Sequence, residues 1–318
     1  ARVVALPLAA RFRGVETREA VVFEGPLGWT EFSPFVEYPD AEAVTWLAAA
    51  LDFGWNPSPT PLRTTVPVNA TVPAVPADRV DGILDRFDGC RTAKVKVAEP
   101  GQVLADDVAR VRAVRRRLGP EGRVRVDANG AWNVDEAERA VHALAEFDLE
   151  YVEQPCAEID ELAQLRERIA YLDIPIAADE SVRKADDPLR VARAGAADLL
   201  VIKAQPLGGV QRALEIVRAA GLPAVVSSAL DTSVGLAMGA ALAAALPDLE
   251  HDCGLGTASL FTADVVGEPL VARGGMLPLT RPRPTADDLD AVSASPERRQ
   301  WWLARLERCH ALLTTQEL

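Results

Sequence analysis

The sequence predicts an α/β fold: a (β/α)8-type barrel of the modified TIM kind, with a smaller α+β capping domain formed by the two ends of the chain. The first observation is a regular spacing of polar residues that end apolar, strand-like runs. Asp127, Glu153, Asp179 and Lys203 follow one another at steps of 26, 26 and 24 residues. One strand of about five residues, one helix of about twelve and two short loops occupy that length.

The same interval continues in both directions along the chain. Further strand-like runs lie around residues 68, 96, 227 and 252, which makes eight predicted strands. The stretches between them carry apolar residues at helical spacing, as in the segment VDEAERAVHALAEF. Strands that alternate with helices favour a parallel sheet, and eight such units favour a closed barrel. The active site of such a barrel lies at the C-terminal ends of its strands.

The segments on either side of the barrel predict the capping domain. Residues 1–62 contain strand-like runs and one helix, and a proline-rich stretch over residues 51–67 links them to the barrel. The barrel itself is placed at residues 63–262. Residues 263–318 contain a predicted strand pair and a long helix, and we expect them to return to the N-terminal unit as one discontinuous domain.

Charge and composition exclude several classes of function. A net charge of −13 with a pI near 4.8 leaves no basic stripe for nucleic acid or an anionic membrane surface. No apolar run is long enough to span a bilayer, and the first ten residues lack the layout of a signal peptide. The cysteines have no metal-binding or disulfide spacing, which fits buried thiols in a reducing cytosol. The sequence therefore predicts a cytoplasmic protein, either a monomer or a small homo-oligomer.

Lysine is rare in this chain and its few positions are informative. There are four lysines beside thirty arginines, and Lys94, Lys96 and Lys203 lie in strand-like runs. A guanidinium is effectively never deprotonated, whereas the pKa of a buried ammonium can be tuned until the group transfers protons. We therefore expect these lysines to take part in chemistry.

The three carboxylates that end consecutive strands predict a metal site. Asp127, Glu153 and Asp179 would repel one another strongly at the mouth of a barrel, and a hard divalent cation relieves that repulsion. Ligands that are all oxygen atoms suit Mg²⁺, with Mn²⁺ as a possible substitute. Lys96 and Lys203 would approach a bound small-molecule carboxylate from opposite sides. The predicted chemistry is removal of a proton alpha to that carboxylate, with the metal neutralising the enediolate.

The motifs KVK, DAN, EQP, ADES and VIK, in this order, resemble the enolase superfamily and, within it, the muconate-lactonising subgroup. The resemblance implies that Lys96 is the general base and that Lys203 stays charged on the other face of the substrate. It also implies supporting positions around these groups. Lys94 and Asn129 would contact the carboxylate or metal waters, Arg125 and Glu180 would stand behind the ligands, and Ser227, Ser228 and Gly254 would line the far end of the pocket.

Several functions share this set of residues. The RVDANGAW and CGLGT sequences are most similar to a dehydratase that forms an aromatic carboxylate by loss of water, while N-succinylamino acid racemases and dipeptide epimerases have the same lysines and metal ligands. A barrel that binds a metal or a carboxylate without turnover is a further alternative. Glu250 or Asp252 could anchor a substrate ammonium or, as we favour, cap the next turn. The hairpin RFRGVETR is too short to form an extended lid.

Overall fold

The computed structural model describes residues 1–12, 14–183 and 188–316. Its N-terminal unit is an antiparallel sheet of three strands covered by one helix. These elements are β1 (Arg2–Phe12), β2 (Val15–Gly25), β3 (Gly28–Phe32) and α1 (Asp40–Trp55). Arg13, in the predicted short hairpin between the first two strands, lies outside the described residues.

A parallel sheet forms the second unit, and its strands neighbour one another in the order in which they occur in the chain. After β4 (Thr65–Pro67) these strands are β5 (Ala70–Val72), β6 (Thr92–Lys96), β7 (Arg123–Asp127), β8 (Leu149–Glu153), β9 (Ile176–Ala178), β10 (Leu199–Ile202) and β11 (Ala224–Val226).

Helices connect these strands, as the sequence predicts. They are α2 (Val80–Leu84), α3 (Leu104–Leu118), α4 (Val134–Leu144), α5 (Ile159–Arg168), α6 (Glu180–Arg183), α7 (Pro188–Arg193), α8 (Val210–Ala220) and α9 (Ser233–Ala245). Within the residues that the structure describes, no helix is both long and apolar enough to cross a membrane.

The sheet closes on itself, which confirms the predicted barrel, but its eighth strand is much shorter than expected. Cys253 bridges to Val68 and Gly254 bridges to Ser227, so this segment joins both edges of the sheet. The backbone amides of Cys253 and Gly254 donate to Pro67 O and Val226 O, both at 2.8 Å. The chain then enters a 3-10 turn, Thr257–Leu260. Glycines at 254 and 256 and few β-branched residues explain why no longer strand forms.

The C-terminal segment returns to the N-terminal unit. It contains β12 (Met276–Pro278), α10 (Ala286–Ala291) and α11 (Pro296–Gln316). Of the predicted strand pair only β12 forms a strand, and it pairs with β4. Helix α11 packs against α1, and the ring of Trp302 meets Phe32 edge-on with centroids 6.0 Å apart. The two ends of the chain therefore build one body above the barrel.

A buried carboxylate joins the N-terminal unit to the barrel. Glu31, from β3, accepts hydrogen bonds from the backbone amides of Thr232 at 3.1 Å and Gly235 at 3.2 Å, at the start of α9. The first turn of a helix has free amides and a positive dipole end, so a carboxylate is stabilising there. A Cβ at Gly235 would lie 2.7 Å from this carboxylate, so the contact requires glycine.

Asp231, at the same interface, gives a test of these buried charges. Burial and then the charge of Glu31 raise the pKa of Asp231 to about 7, although Arg18 opposes the shift. The folded protein holds this proton more tightly than the unfolded chain, so deprotonation removes stability as the pH rises from about 4 to about 7. We expect Asp231→Asn to raise the free energy of unfolding by on the order of 1 to 3 kcal/mol above that range, with no gain near pH 4. Chemical denaturation on both sides of the range measures the difference, and a gain that is independent of pH would contradict the assignment.

Candidate active site

Five ionisable side chains project inward at the C-terminal ends of consecutive barrel strands. Lys96 ends β6, Asp127 ends β7 and Glu153 ends β8, while Asp179 and Lys203 follow the last residues of β9 and β10. All five are at most 6% exposed. The parity of each strand decides this direction, since every second residue of a strand faces the barrel interior. The structure therefore brings the predicted catalytic and metal-binding residues to one place.

Lysines and carboxylates alternate in this layer. Lys94 Nζ donates to Glu153 Oε1 at 2.6 Å and Oε2 at 2.7 Å, and lies 3.3 Å from Asp127 Oδ2. Lys96 Nζ lies 2.5 Å from Asp127 Oδ2, and Lys203 Nζ lies 2.5 Å from Asp179 Oδ2. Each carboxylate is thus paired with an ammonium group.

Burial and the neighbouring charges control the protonation of these carboxylates. Burial alone would raise the pKa of Asp127, but Lys96 and Lys94 together hold it below its usual range. Glu153 behaves in the opposite way: burial, followed by the charge of Asp127, raises its pKa to about 7 in spite of Lys94. The positive charge of Lys94 therefore does not fully offset the cost of ionising the buried Glu153 carboxyl group at neutral pH.

The three carboxylates do not converge on one point in this structure. Among residues 1–12, 14–183 and 188–316, no three His, Cys, Asp or Glu side chains are arranged to hold a metal ion. Their partners are ammonium groups instead. The chemistry of the donors nevertheless fits a hard divalent cation, because all the groups are carboxylate oxygens on adjacent strands and the raised pKa of Glu153 indicates a local shortage of positive charge.

The turns after the strands hold the functional side chains in place. Asn129, with a left-handed φ of 49°, accepts a hydrogen bond from Lys96 Nζ at 2.6 Å and donates to Glu180 Oε1 at 3.1 Å. Gln154, also left-handed with φ of 39°, accepts from the backbone amide of Asp179 at 2.9 Å. Left-handed residues other than glycine cost energy and cluster at functional sites. Gln154 is not among the predicted site residues, although it lies inside the EQP motif.

The predicted far end of the pocket is built by β11 and the short eighth strand. Ser228 Oγ donates to Gly254 O at 2.9 Å and lies 2.7 Å from Thr257 Oγ1. A Cβ at Gly254 would lie 2.4 Å from Ser227 Oγ, so only glycine allows this close approach. Ser227, Ser228 and Gly254 all line the same pocket as the lysines.

The capping unit supplies the ceiling of the pocket, which the sequence did not predict. Phe12 and Phe35 of the capping unit line it together with the lysines and with Leu230 of the barrel, and the ring centroid of Phe12 lies 5.1 Å from Lys96 Nζ. The cavity volume is about 30 Å³, which is far below the several hundred Å³ of an ordinary small-molecule site. A ring-bearing substrate therefore enters only if side chains of the pocket move.

The comparisons with known proteins agree with this geometry. Residues 80–284 match the family described as Enolase C-terminal domain-like, and residues 3–54 match the one described as Enolase N-terminal domain-like. The chain belongs to the enolase superfamily. This superfamily member is 57% identical to o-succinylbenzoate synthase of Mycolicibacterium smegmatis, over 98% of this chain and 95% of that protein. It is 55% identical to the o-succinylbenzoate synthase of Mycobacterium tuberculosis, over 98% of this chain and 94% of that protein.

Solved structures show the same fold for the superfamily member. Muconate lactonizing enzyme from Pseudomonas fluorescens superposes with a TM-score of 0.78 at 21% identity, covering 92% of this chain and 97% of that chain. The L-Ala-D/L-Glu epimerase from Bacillus subtilis superposes with a TM-score of 0.74 at 23% identity, covering 89% of this chain and 95% of that chain.

Arg125 lies beneath the strand-end residues of the superfamily member's barrel, and Asp252 lies at the other end. Arg125 donates to Glu150 Oε2 and Asn69 Oδ1, and it lies one inward-facing residue below Asp127. Asp252 accepts hydrogen bonds from Thr92 Oγ1 and Arg123 Nη2, at the first residues of β6 and β7. The side chain of Asp252 therefore lies near the N-terminal ends of β6 and β7, because the eighth strand begins only at Cys253.

Proposed function

We propose that this protein is an o-succinylbenzoate synthase that requires Mg²⁺. It is a carbon–oxygen lyase that converts 2-succinyl-6-hydroxy-2,4-cyclohexadiene-1-carboxylate to 2-succinylbenzoate. The observation that carries the proposal is the joint placement of Lys96 and Lys203 in one pocket, where Lys96 is paired with Asp127 and Lys203 with Asp179. The relatives of that name, which align with 98% of the chain, support the choice of reaction.

Asp127, Glu153 and Asp179 are the residues that we propose to hold the metal. When bound, Mg²⁺ supplies the positive charge that stabilises the negative charge developing on the substrate carboxylate. Lys94 lies beside these ligands, where Glu153 and Asp127 outweigh burial and raise its pKa. Asn129 and Glu180 support Lys96 and the neighbouring turn.

Lys96 is the proposed proton-transfer group. As a neutral amine its Nζ removes the proton from the ring carbon that carries the carboxylate, and the electron pair passes into the carboxylate. The same lysine, now an ammonium, returns that proton to the departing hydroxyl, so one water molecule leaves. The ring becomes aromatic, which drives the elimination. Lys203 stays protonated on the other face and stabilises the charge that develops there.

The rest of the pocket suits the proposed substrate. Phe12, Phe35 and Leu230 offer apolar contact to a six-membered ring, while Ser227, Ser228 and the backbone of Gly254 offer hydrogen bonds to a succinyl group. We propose residues 63–262 as the catalytic barrel, and residues 1–62 with 263–318 as the cap. Free thiols at Cys90, Cys156, Cys253 and Cys309 support a cytoplasmic location.

The decisive experiment is a direct assay of the purified protein with Mg²⁺ on the cyclohexadiene carboxylate, beside a panel of N-succinylamino acids and dipeptides. We expect dehydration with a kcat/KM at least about 10²-fold above that for any proton exchange on the panel, since binding energy realised at the reacting centre sets the ratio. The appearance of the aromatic product is followed by absorbance, and exchange is followed by deuterium incorporation from solvent.

Each other outcome assigns a different function. Efficient inversion of an N-succinylamino acid or a dipeptide, without dehydration, would make the protein a racemase or an epimerase. Binding of the product without exchange on any compound would make it a non-catalytic barrel, since exchange requires a working base and binding does not.

A further inference from the structure

A buried ion pair on α3 holds the backbone of Lys96 from outside the barrel. Arg110 is fully buried and its Nη1 donates to Lys96 O at 2.8 Å and to Asp107 Oδ1 at 2.8 Å. Asp107, 2% exposed, accepts a hydrogen bond from the backbone amide of Ala98 at 3.0 Å. The pair is therefore hydrogen-bonded to the main chain on both sides of Val97.

Strand β5 does not extend far enough to supply these hydrogen bonds. It ends at Val72, which faces Val95 of β6. In a parallel pair the carbonyl of Lys96 would accept from the residue after its register partner, which is Ala74 and lies beyond the end of β5. Arg110 provides the missing donor, and its Nε also donates to Val75 O at 2.6 Å, which fixes the chain just after β5.

The backbone after Lys96 is held in an unfavourable conformation at this point. Ala98 has a left-handed φ of 59°, which costs about 1 kcal/mol or more for a residue with a Cβ. The hydrogen bond from Ala98 N to Asp107 opposes relaxation of that turn. Relaxation would rotate the end of β6 and move the Cα and Cβ atoms of Lys96.

We propose that Arg110 and Asp107 are positioning residues that set the direction in which Lys96 enters the pocket. This inference rests on the proposed role of Lys96 as the proton-transfer group. Lys96 Nζ is held between Asp127 Oδ2 and Asn129 Oδ1, so a displacement of the Lys96 Cα changes the conformation in which the side chain keeps these contacts and the direction from which Nζ approaches the substrate. A misplacement of about 1 Å at a reacting group can cost about 10²-fold in rate.

Arg110→Met, which keeps much of the side-chain length and removes every donor, tests the proposal. The matched control is Arg115→Met, on the same helix. Arg115 also donates to main-chain carbonyls, those of Gly122 and Phe147, but at the opposite end of the barrel. Both variants are expected to unfold at lower temperature, so activity is compared at a temperature where each is fully folded.

We expect Arg110→Met to lower kcat by about 10- to 100-fold while KM changes by less than about threefold, because the metal ligands lie on other strands. Arg115→Met should keep kcat within about twofold, and Arg110→Lys should recover part of the loss because an ammonium can still donate to Lys96 O. If Arg110→Met fails to fold, Asp107→Asn replaces it. That variant keeps an acceptor for Ala98 N, loses the ion pair and should show a smaller fall in kcat of the same kind.

The proposal is overturned if the Arg110 variant, or Asp107→Asn in its place, loses no more kcat than Arg115→Met, or if KM rises as much as kcat falls. This failure is distinct from failure of the proposed function. A wild-type protein that does not dehydrate the cyclohexadiene substrate refutes the function itself. The same variants are then compared on whichever compound of the panel exchanges its proton.

Discussion

Lys96→Arg will abolish dehydration while the protein keeps its fold. Arginine retains the positive charge beside Asp127 and Asn129, which Lys96 Nζ contacts at 2.5 and 2.6 Å. It cannot be deprotonated near neutral pH, so it cannot remove the proton of the substrate. We expect kcat to fall by about 10²- to 10⁴-fold, the usual contribution of a general base. Steady-state kinetics with the cyclohexadiene substrate measures the loss, and circular dichroism checks the fold.

Two further variants define what this result means. Lys96→Ala should be as inactive as Lys96→Arg, because both lack a base. Lys203→Ala should also be severely impaired, but any residual proton exchange should come from Lys96 alone and have one stereochemical sense. If Lys96→Arg retained substantial activity, Lys96 would only bind the substrate and the proposed mechanism would be incorrect.

Glu153→Gln will remove most of the activity at little cost in stability. Burial and Asp127 raise the pKa of Glu153 to about 7, so the ionised carboxylate is costly in the folded protein above that pH. Glutamine has the same shape and no charge, and its side-chain oxygen can still accept a hydrogen bond from Lys94. The same change weakens a proposed Mg²⁺ ligand. We expect kcat/KM to fall by about 10²-fold or more and Mg²⁺ affinity, measured by calorimetry, to fall with it.

Glu150→Gln is the matched control, because Glu150 lies on the same strand but serves the other end of the barrel. Glu150 Oε2 accepts a hydrogen bond from Arg125 Nε at 2.5 Å, and Glu150 Oε1 lies 3.0 Å from His251 Nδ1. Burial opposes ionisation, but His251 and Arg125 lower its pKa to about 2. The carboxylate therefore stabilises the fold above about pH 4.5 and loses that contribution as the pH falls towards about 2. We expect Glu150→Gln to lower the free energy of unfolding by on the order of 2 kcal/mol at neutral pH without changing Mg²⁺ affinity.

Removal of the metal completes the same test. Chelation should abolish dehydration, and added Mg²⁺ should restore it fully. If activity survived chelation, or if Glu150→Gln weakened Mg²⁺ binding as much as Glu153→Gln, the three strand-end carboxylates would not be the metal ligands.

The strand-end residues could be predicted because their positions follow from local properties of the chain. Each βα unit has a similar length, so the residue that ends one strand predicts the residue that ends the next. Strand parity then places Asp127 and Glu153 in the same inward-facing layer as Lys96. Hydrogen bonding between neighbouring parallel strands enforces that register, and a slip of one residue would turn every side chain to the other face.

The bottom of the barrel could not be predicted in this way. A bulge lies between Val124 and Arg125 in the pairing of β7 with β8, and it places the side chains of Glu150 and Tyr151 both beside Arg125. A bulge adds one residue to a strand and breaks the alternation on which sequence analysis depends. The position of the eighth strand could not be predicted for a similar reason, because two residues are too few to show the alternation of side chains that is typical of a strand.

By itself, the sequence determined the barrel, the order of its strands and the residues at their C-terminal ends, because these follow from periodicity and chain length. Tertiary structure alone decided the contacts between distant segments. The Phe12 ring of the cap packs near Lys96, and Arg110 of α3 donates a hydrogen bond to the carbonyl at the end of β6. Lys94, and not another carboxylate, is the hydrogen-bond partner of Glu153. These contacts depend on how helices and cap pack onto the sheet, and packing between segments leaves no repeating pattern in the sequence.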